Sequence, residues 1–296
     1  GLWYDPKHVG DGARIVGVMP GGPADLPGSL LKPGALIVAV DGRTIAPDRD
    51  VWAYLDHAAG KKIRLTVVPP GGGAPQEQVA TPVPVEKEGE FAYRHWVDGR
   101  RALVSRLSGG RLAYVHVAAM EAVEMQKVYA ELMGRGRSAE GAIVDVRFNT
   151  GGLLHDQLVA FLGGERHSGL VSRNGVDYGT SPYTRWAKPT AAVANASSYS
   201  DGSIFPFFYM REKIGPMVGD RVPGTGTAVL NIPQIEPRLK LGVAQIGFRT
   251  KEGRYLENLE IVPTEVLNTE PNFIERGQDP QLERAVALLL ATLPKK

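Results

Sequence analysis

The sequence has no cysteine. That excludes disulfides, thiolate metal sites and a cysteine nucleophile, and it leaves reducing and oxidising compartments equally open. No apolar run approaches the ~20 residues needed to cross a bilayer. Nor is there an excess of charge of one sign: 34 Lys+Arg face 32 Asp+Glu, and the charges are interspersed rather than blocked. This removes the electrostatic footprint that a nucleic acid or an acidic lipid surface would require. A charged-then-apolar leader is missing too, and Gly1 stands where an initiator methionine would be, so the chain is expected to be processed or cut from something longer. Nothing calls for a metal or an organic cofactor, and the compartment, cytoplasmic or periplasmic, stays open.

What remains is the composition of a folded globular chain, 43% apolar and 22% charged. Its 296 residues exceed the ~100–200 usual for one core, which predicts two domains. Residues 15–18, 35–40 and 63–68 read as short β-branched strands, and Val51, Leu55 and Ala58 share one helical face. The first ~85 residues therefore make a small β-rich domain with a helix laid across it. Turn residues at 69–75 predict a hairpin into a strand over 79–85. The charged stretch 86–90 marks the junction, which gives domains 1–88 and 89–296.

Beyond it the pattern alternates. Strand-like RLAYVHV (111–117), a helix through Met125, Val128, Tyr129, Leu132 and Met133, and a buried-strand run AIVDVRF (142–148) make a βαβ unit. A helix through Leu154, Leu158, Phe161 and Leu162, a strand at 190–194 and a helix at 204–212 follow. Asp279-Pro280 supplies an N-cap and first-turn proline for a last helix. Such alternation predicts α/β layering on a largely parallel sheet.

In such a sheet ligands gather where strands end and helices begin. Two junctions stand out. Arg147-Phe148-Asn149-Thr150-Gly151-Gly152 runs into a glycine pair, which makes a tight turn or presents backbone N–H groups to a substrate oxygen. The segment 195–205 (NASSYSDGSIF) places serines before a helix, either as capping residues or with one Oγ presented as a nucleophile beside a free N–H. Spacing leaves Ser197, Ser198, Ser200 and Ser203 open. An α/β-hydrolase elbow would need G-x-S-x-G, which Tyr199-Ser200-Asp201 does not satisfy.

VDVRFNTGG, NASSYSDGSIFPF, LENLEIVPTEV and GQDPQLERAVALLL occur in the order, and at roughly the separations, of the motifs of tricorn and tail-specific serine peptidases, which this sequence resembles. YRHWVDGRRALVSRLSGGRLAYVHV is similar to the start of that family's catalytic domain. The resemblance covers about residues 90–296 well and 1–85 more loosely. It implies a PDZ-like N-terminal domain followed by a crotonase/ClpP-like α/β peptidase domain, and a serine peptidase or oligopeptide-processing activity through an acyl-enzyme. It assigns Ser200 as nucleophile, Gly152 and Asp201 as oxyanion-hole N–H donors at two helix starts, and Glu257 as the acid orienting the base. Glu260 and Thr264 stand where the family has Gly and Asp. Gly1, Leu2, Trp3 and Tyr4 occupy the place of the PDZ carboxylate-binding loop, with Trp3 where glycine is usual. No acid occupies 169–174, where relatives that prefer basic P1 residues carry one, although Asp177 is near.

A serine nucleophile needs a positioned base. Of six histidines, His116 sits mid-strand as a core histidine does, and His155 opens the helix after Gly152 but matches no family base. His8, His57, His95 and His167 lie on the small domain or in polar loops. The resemblance puts the base on a helical segment upstream of the PDZ domain, so the chain is expected to be a C-terminal fragment lacking it and inactive alone. The expected partners are a peptide or unfolded-protein substrate, that upstream segment, and further copies in a homo-oligomer. The competing expectation is a noncatalytic peptide-binding module.

Overall fold

The computed structural model describes residues 1–165, 167–268, 272–273 and 277–294. By compactness the chain divides into two units, Gly1–Gly99 and Arg100–Lys296. The division falls within a long helix, Val85–Ser108, as does the junction expected at 88/89.

The first unit holds β1 (Leu2–Tyr4), β2 (Ala13–Val18), β3 (Leu36–Val40), β4 (Arg43–Thr44), α1 (Trp52–Leu55), β5 (Ile63–Val68), β6 (Gln76–Ala80) and the start of α2 (Val85–Ser108). The sheet runs β1-β2-β3-β5-β6 with β4 on β3. Ile63, Leu65 and Val67 alternate inward along β5 and join Ile15, Leu31, Ile37 and Val40 in one core. The expected strand at 79–85 is replaced by β6, because the turn at 69–75 pairs Val67 with Gln76 and Ile63 with Ala80. On an edge, backbone pairing tolerates the polar Gln76-Glu77-Gln78.

The second unit holds β7 (Leu112–His116), α3 (Ala122–Tyr129) with a π-helical extension Ala130–Arg135, β8 (Gly141–Asp145), α4 (His155–Gly163), the hairpin β9 (Ser168–Val171) and β10 (Asp177–Ser181), β11 (Thr190–Ala194), α5 (Asp201–Arg211), β12 (Met217–Gly219), the hairpin β13 (Thr227–Pro233) and β14 (Lys240–Gly247), β15 (Glu265–Val266) and α6 (Pro280–Thr292). Its central sheet, β15-β12-β11-β8-β7, is parallel throughout. β8 and β11 are buried at every residue, which is why they read as runs rather than alternations. α6 packs on β8, β11 and β12, and Asp279 accepts the Leu282 N–H at 3.1 Å, capping it as expected.

One buried ionic network locks the end of β8 to α6. The Arg147 guanidinium meets Asp145 at 2.6 Å and Asp279 at 2.9 Å, Arg100 meets Asp279 at 3.2 Å, and the Tyr114 hydroxyl donates to Asp145 at 3.0 Å. Two cations and two anions balance, and partners from both elements offset the desolvation cost. Burial would raise the Asp145 pKa, but the charge and hydrogen bonds of Arg147 outweigh it and hold the carboxyl below its usual range. The Asp-Val-Arg and Asp-Pro-Gln motifs are thus two halves of one brace.

Candidate active site

Both predicted junctions lie at the C-terminal ends of adjacent strands, β8 and β11, where a parallel sheet collects ligands. Side chains of the motifs stitch them together. Asn149 donates through Nδ2 to the Val117 carbonyl at 2.7 Å and accepts the Gly151 N–H on Oδ1 at 2.9 Å, while its own carbonyl accepts the Tyr199 N–H at 2.9 Å. Asn195 returns the tie, accepting the Phe148 N–H at 3.0 Å and the Ser197 N–H at 3.2 Å.

The four serines separate by environment. Ser198 is fully buried and donates to the Val146 carbonyl at 2.9 Å. Ser203 donates to the Ser200 carbonyl at 2.8 Å and meets Thr225 Oγ1 at 2.9 Å. Ser197 is exposed on the turn. Ser200 is half-buried at the N-cap of α5, with φ 51° and ψ −126°, a conformation that costs a non-glycine residue ~1–3 kcal/mol. Its surroundings impose it: the Ser200 N–H donates to Thr225 Oγ1 at 2.7 Å, and its carbonyl accepts the Ser203 N–H at 2.8 Å. Ser200 Oγ has no hydrogen-bond partner among the described residues. A Cβ on Gly151, at φ +91°, would lie 2.6 Å from the Ser200 Cβ, so the glycine pair is what lets the β8 loop approach the serine.

Gly152 lies three residues before α4, not at its start as expected. It bridges in parallel fashion to Met120, and a Cβ there would fall 2.1 Å from the Met120 carbonyl oxygen. That bridge uses the N–H groups of Met120 and Leu153, which leaves the Gly152 N–H without a partner among the described residues. The Asp201 N–H, first in α5, is likewise unused. The Asp201 side chain has a role that sequence reasoning missed. One oxygen accepts the Leu154 and His155 N–H groups at 2.6 and 2.9 Å, and the other meets His155 Nδ1 in a very short contact. The carboxylate therefore ties the start of α4 to the start of α5, the two segments that carry the candidate oxyanion amides.

Three glutamates compete for the acid's role. Glu252 pairs with Arg211, whose hydrogen bond holds its carboxyl down to about 2, and Glu260 pairs with Arg221 at 2.7 Å. Glu257 is exposed and has no ion pair or hydrogen bond among the described residues. Its turn lies against the loop bearing Thr225: Asn258 N–H donates to the Gly224 carbonyl at 2.8 Å, and Gly226 lies against Leu256.

Two of the three histidines of this unit are held by other groups. His116 Nε2 meets the Arg147 carbonyl at 2.8 Å, and burial lowers its pKa, only partly opposed by Asp145. His155 is buried, held by Asp201, stacked on Phe208 at 5.4 Å and edge-on to Phe248 at 5.3 Å. His167 is exposed in the segment leading to β9. In the first unit His95 lies 5.5 Å from the Trp3 ring, His57 faces Asp56, and His8 meets Arg14.

Leu2, Trp3 and Tyr4, expected as a binding loop, form strand β1 on β2, and the Gly1 carbonyl accepts the Met19 N–H at 3.0 Å. Gly1, Leu2 and Tyr4 line an apolar cavity of about 80 Å³ with Val51, Trp52 and Leu55. Trp3 covers Gly17 instead.

Residues 111–267 match the profile of peptidase family S41. The chain belongs to that family. Residues 14–69 match the PDZ domain, so a PDZ domain precedes the peptidase domain. Over 99% of its length the chain is 34% identical to "Tricorn protease homolog 1" of Streptomyces coelicolor, covering 28% of that protein. It is 29% identical over 91% of its length to "Putative Tricorn-like protease C-terminal subunit" of Sulfurisphaera tokodaii, covering 31%. The solved tricorn protease superposes on 98% of the chain with a TM-score of 0.81 at 24% identity, using 29% of that structure, and shows the same fold. Within that family the chain is of the tricorn type, and it spans less than a third of the length of these relatives.

Proposed function

We propose that this chain carries the nucleophile, the oxyanion-hole amides and the orienting acid of a serine peptidase working through an acyl-enzyme. Ser200 Oγ attacks the scissile carbonyl, and its proton passes to a base and then to the departing amine. Water next attacks the acyl-enzyme, giving a proton to the same base and returning one to Ser200. The N–H groups of Gly152 and Asp201 receive the oxyanion, and Glu257 orients the base. The observation that carries this reading is Ser200: strained, held by its neighbours, packed against Gly151 and unbonded at Oγ. The base is a histidine on a helical segment N-terminal to these residues in a longer polypeptide. Support comes from the lack, among the described residues, of any histidine hydrogen-bonded to Ser200 Oγ: His116 is turned to the Arg147 carbonyl and His155 to Asp201. A substrate strand would add to the edge of β1, and with no acid in 169–174 no strong preference for basic P1 residues is expected.

A serine-reactive phosphonate tests the assignment. The full-length polypeptide should be labelled at Ser200, and Ser200→Ala should abolish labelling. If wild type binds peptide yet never labels, the noncatalytic peptide-binding module is the right description.

A further inference from the structure

The segment Gly224-Thr225-Gly226 is wedged between the start of α5 and the turn that bears Glu257. A Cβ at Gly224 would collide with the carbonyl oxygens of Leu256 and Leu259, and one at Gly226 would lie 2.8 Å from the Leu256 Cβ. Glycine on either side is what lets Thr225 come this close. Backbone bonds then fix it: the Asn258 N–H donates to the Gly224 carbonyl at 2.8 Å and the Phe248 N–H to the Gly226 carbonyl at 3.1 Å. Held there, the Thr225 hydroxyl meets the Ser200 N–H at 2.7 Å and Ser203 Oγ at 2.9 Å. Ser203 Oγ accepts the Thr225 N–H at 3.2 Å and donates to the Ser200 carbonyl at 2.8 Å. Each hydroxyl has one proton to give. That of Ser203 goes to the Ser200 carbonyl, which can only accept. That of Thr225 therefore goes to Ser203 Oγ, and the Thr225 oxygen accepts the Ser200 N–H. The donors run in a closed ring, from Ser200 N–H through Thr225 and Ser203 back to the Ser200 carbonyl.

Resting on the reading of Ser200 as nucleophile, we propose that Thr225 is its positioning residue, whose hydroxyl closes this ring and thereby sets where Ser200 Oγ points. The two ends of Ser200 are not held alike. Its carbonyl also accepts the Ser203 and Ile204 N–H groups at 2.8 and 3.2 Å, so the helix secures that end without any hydroxyl. Its N–H has no partner among the described residues except Thr225. Without that acceptor, the strain at φ 51° favours rotation of Ser200 toward ordinary backbone angles. Such a rotation carries Cβ and Oγ away from Gly151 and from the amides of Gly152 and Asp201, and a displacement of ~1 Å at a reacting atom costs ~10² in rate. The same bond decides which amides serve the oxyanion. Some serine proteases direct the nucleophile's own N–H there. Here Thr225 consumes it, which leaves that task to Gly152 and Asp201. Thr225 touches no reacting atom and acts through Ser200 alone.

The test uses the full-length polypeptide and a serine-reactive peptide phosphonate, with the saturated labelling rate separated from the concentration that half-saturates it. Thr225→Val, similar in shape but without an acceptor, should slow saturated labelling by ~100-fold and move half-saturation by less than about twofold. Thr225→Ser, which keeps the hydroxyl, should restore the rate to within about threefold. Ser203→Ala, which leaves the Ser200 N–H its acceptor, should slow labelling by only about 10-fold. Combined with Thr225→Val it should add little, because the ring is already open. In the 296-residue chain, hydrogen exchange at the Ser200 amide, followed by NMR, should be ~10-fold faster in Thr225→Val than in wild type. A Thr225→Val protein with a wild-type circular dichroism spectrum that labels at the wild-type rate overturns the proposal and leaves Ser200 the nucleophile. So does Thr225→Ser as slow as Thr225→Val, unaltered exchange at Ser200, or Ser203→Ala labelling at the wild-type rate, an arm that needs no change at residue 225. A wild type that never labels overturns the nucleophile and this role together.

Discussion

At the scale of the residue, Ser200 is where chemistry and stability part company. Its φ of 51° is worth ~1–3 kcal/mol of strain, which glycine at that position would not bear. Glycine in turn adds unfolded-chain entropy of ~0.4–1 kcal/mol relative to alanine. Ser200→Gly should therefore exceed Ser200→Ala in stability by up to about 2 kcal/mol, read from urea-unfolding midpoints, although both lose the nucleophile. Equal midpoints would mean that the elbow is not strained. Sequence spacing could not choose among four serines, because the choice depends on which hydroxyls are consumed by Val146, Ser200 and Thr225. Likeness of motif named Ser200, and only the fold shows the side chains that leave it unbonded. It named Asp201 for its backbone alone. The carboxylate bridging to Leu154 and His155 is a contact between two helix starts, Asp201 and His155 being 46 residues apart, which no local pattern announces.

At the scale of the element, the brace at the end of β8 governs the response to acid. His116 and Asp145 face each other across β7 and β8, and both have pKa values below their ordinary ones. Unfolded histidine takes up a proton near pH 6.5 and unfolded aspartate near 4, in each case before the folded group does. The unfolded state then binds more protons, so stability falls as pH falls. The contribution of these two groups should be level above about pH 7 and drop in two stages, one beginning below ~6.5 and a second below ~4. His116→Gln, which keeps a donor for the Arg147 carbonyl, should remove the first stage and spare the second in unfolding curves taken across pH. A first stage that persists would assign it to another histidine. The strands of this brace were legible because β8 and β11 are buried on both faces and read as unbroken apolar runs. α2 was not: its first turns, Glu86 to Glu90, carry the charges of a linker, and its buried stripe of Phe91, Leu103 and Val104 is interrupted by the buried Arg100. β13 escaped notice because Val229 and Pro233 blur its alternation and nearly all of its residues are exposed.

At the scale of the whole molecule, each unit closes its own apolar core, one around Ile15, Ile37 and Val67, the other around Val144, Ala192, Phe205 and Tyr209. Among the described residues no histidine side chain is hydrogen-bonded to Ser200 Oγ. The 296-residue chain should therefore fold with two-unit cooperativity and yet hydrolyse peptides very slowly. Losing the histidine of a serine protease costs ~10⁶ in kcat, and what remains, ~10³–10⁴ over water, comes from the oxyanion hole and binding. The residue most able to contradict this is His155, the imidazole tied to Asp201 beside the candidate oxyanion amides. Its Nδ1 is held by that carboxylate, as a triad histidine's is, but its ring packs against Phe208 and Phe248 and it makes no hydrogen bond to Ser200 Oγ. Turnover should rise by several orders of magnitude when the proposed upstream helical segment is supplied, in cis or by mixing, and should vanish again with Ser200→Ala. If the chain alone cleaves peptides at ordinary protease rates and His155→Ala abolishes that activity while leaving the circular dichroism spectrum intact, the base lies within these residues and the proposed division of the catalytic machinery is wrong.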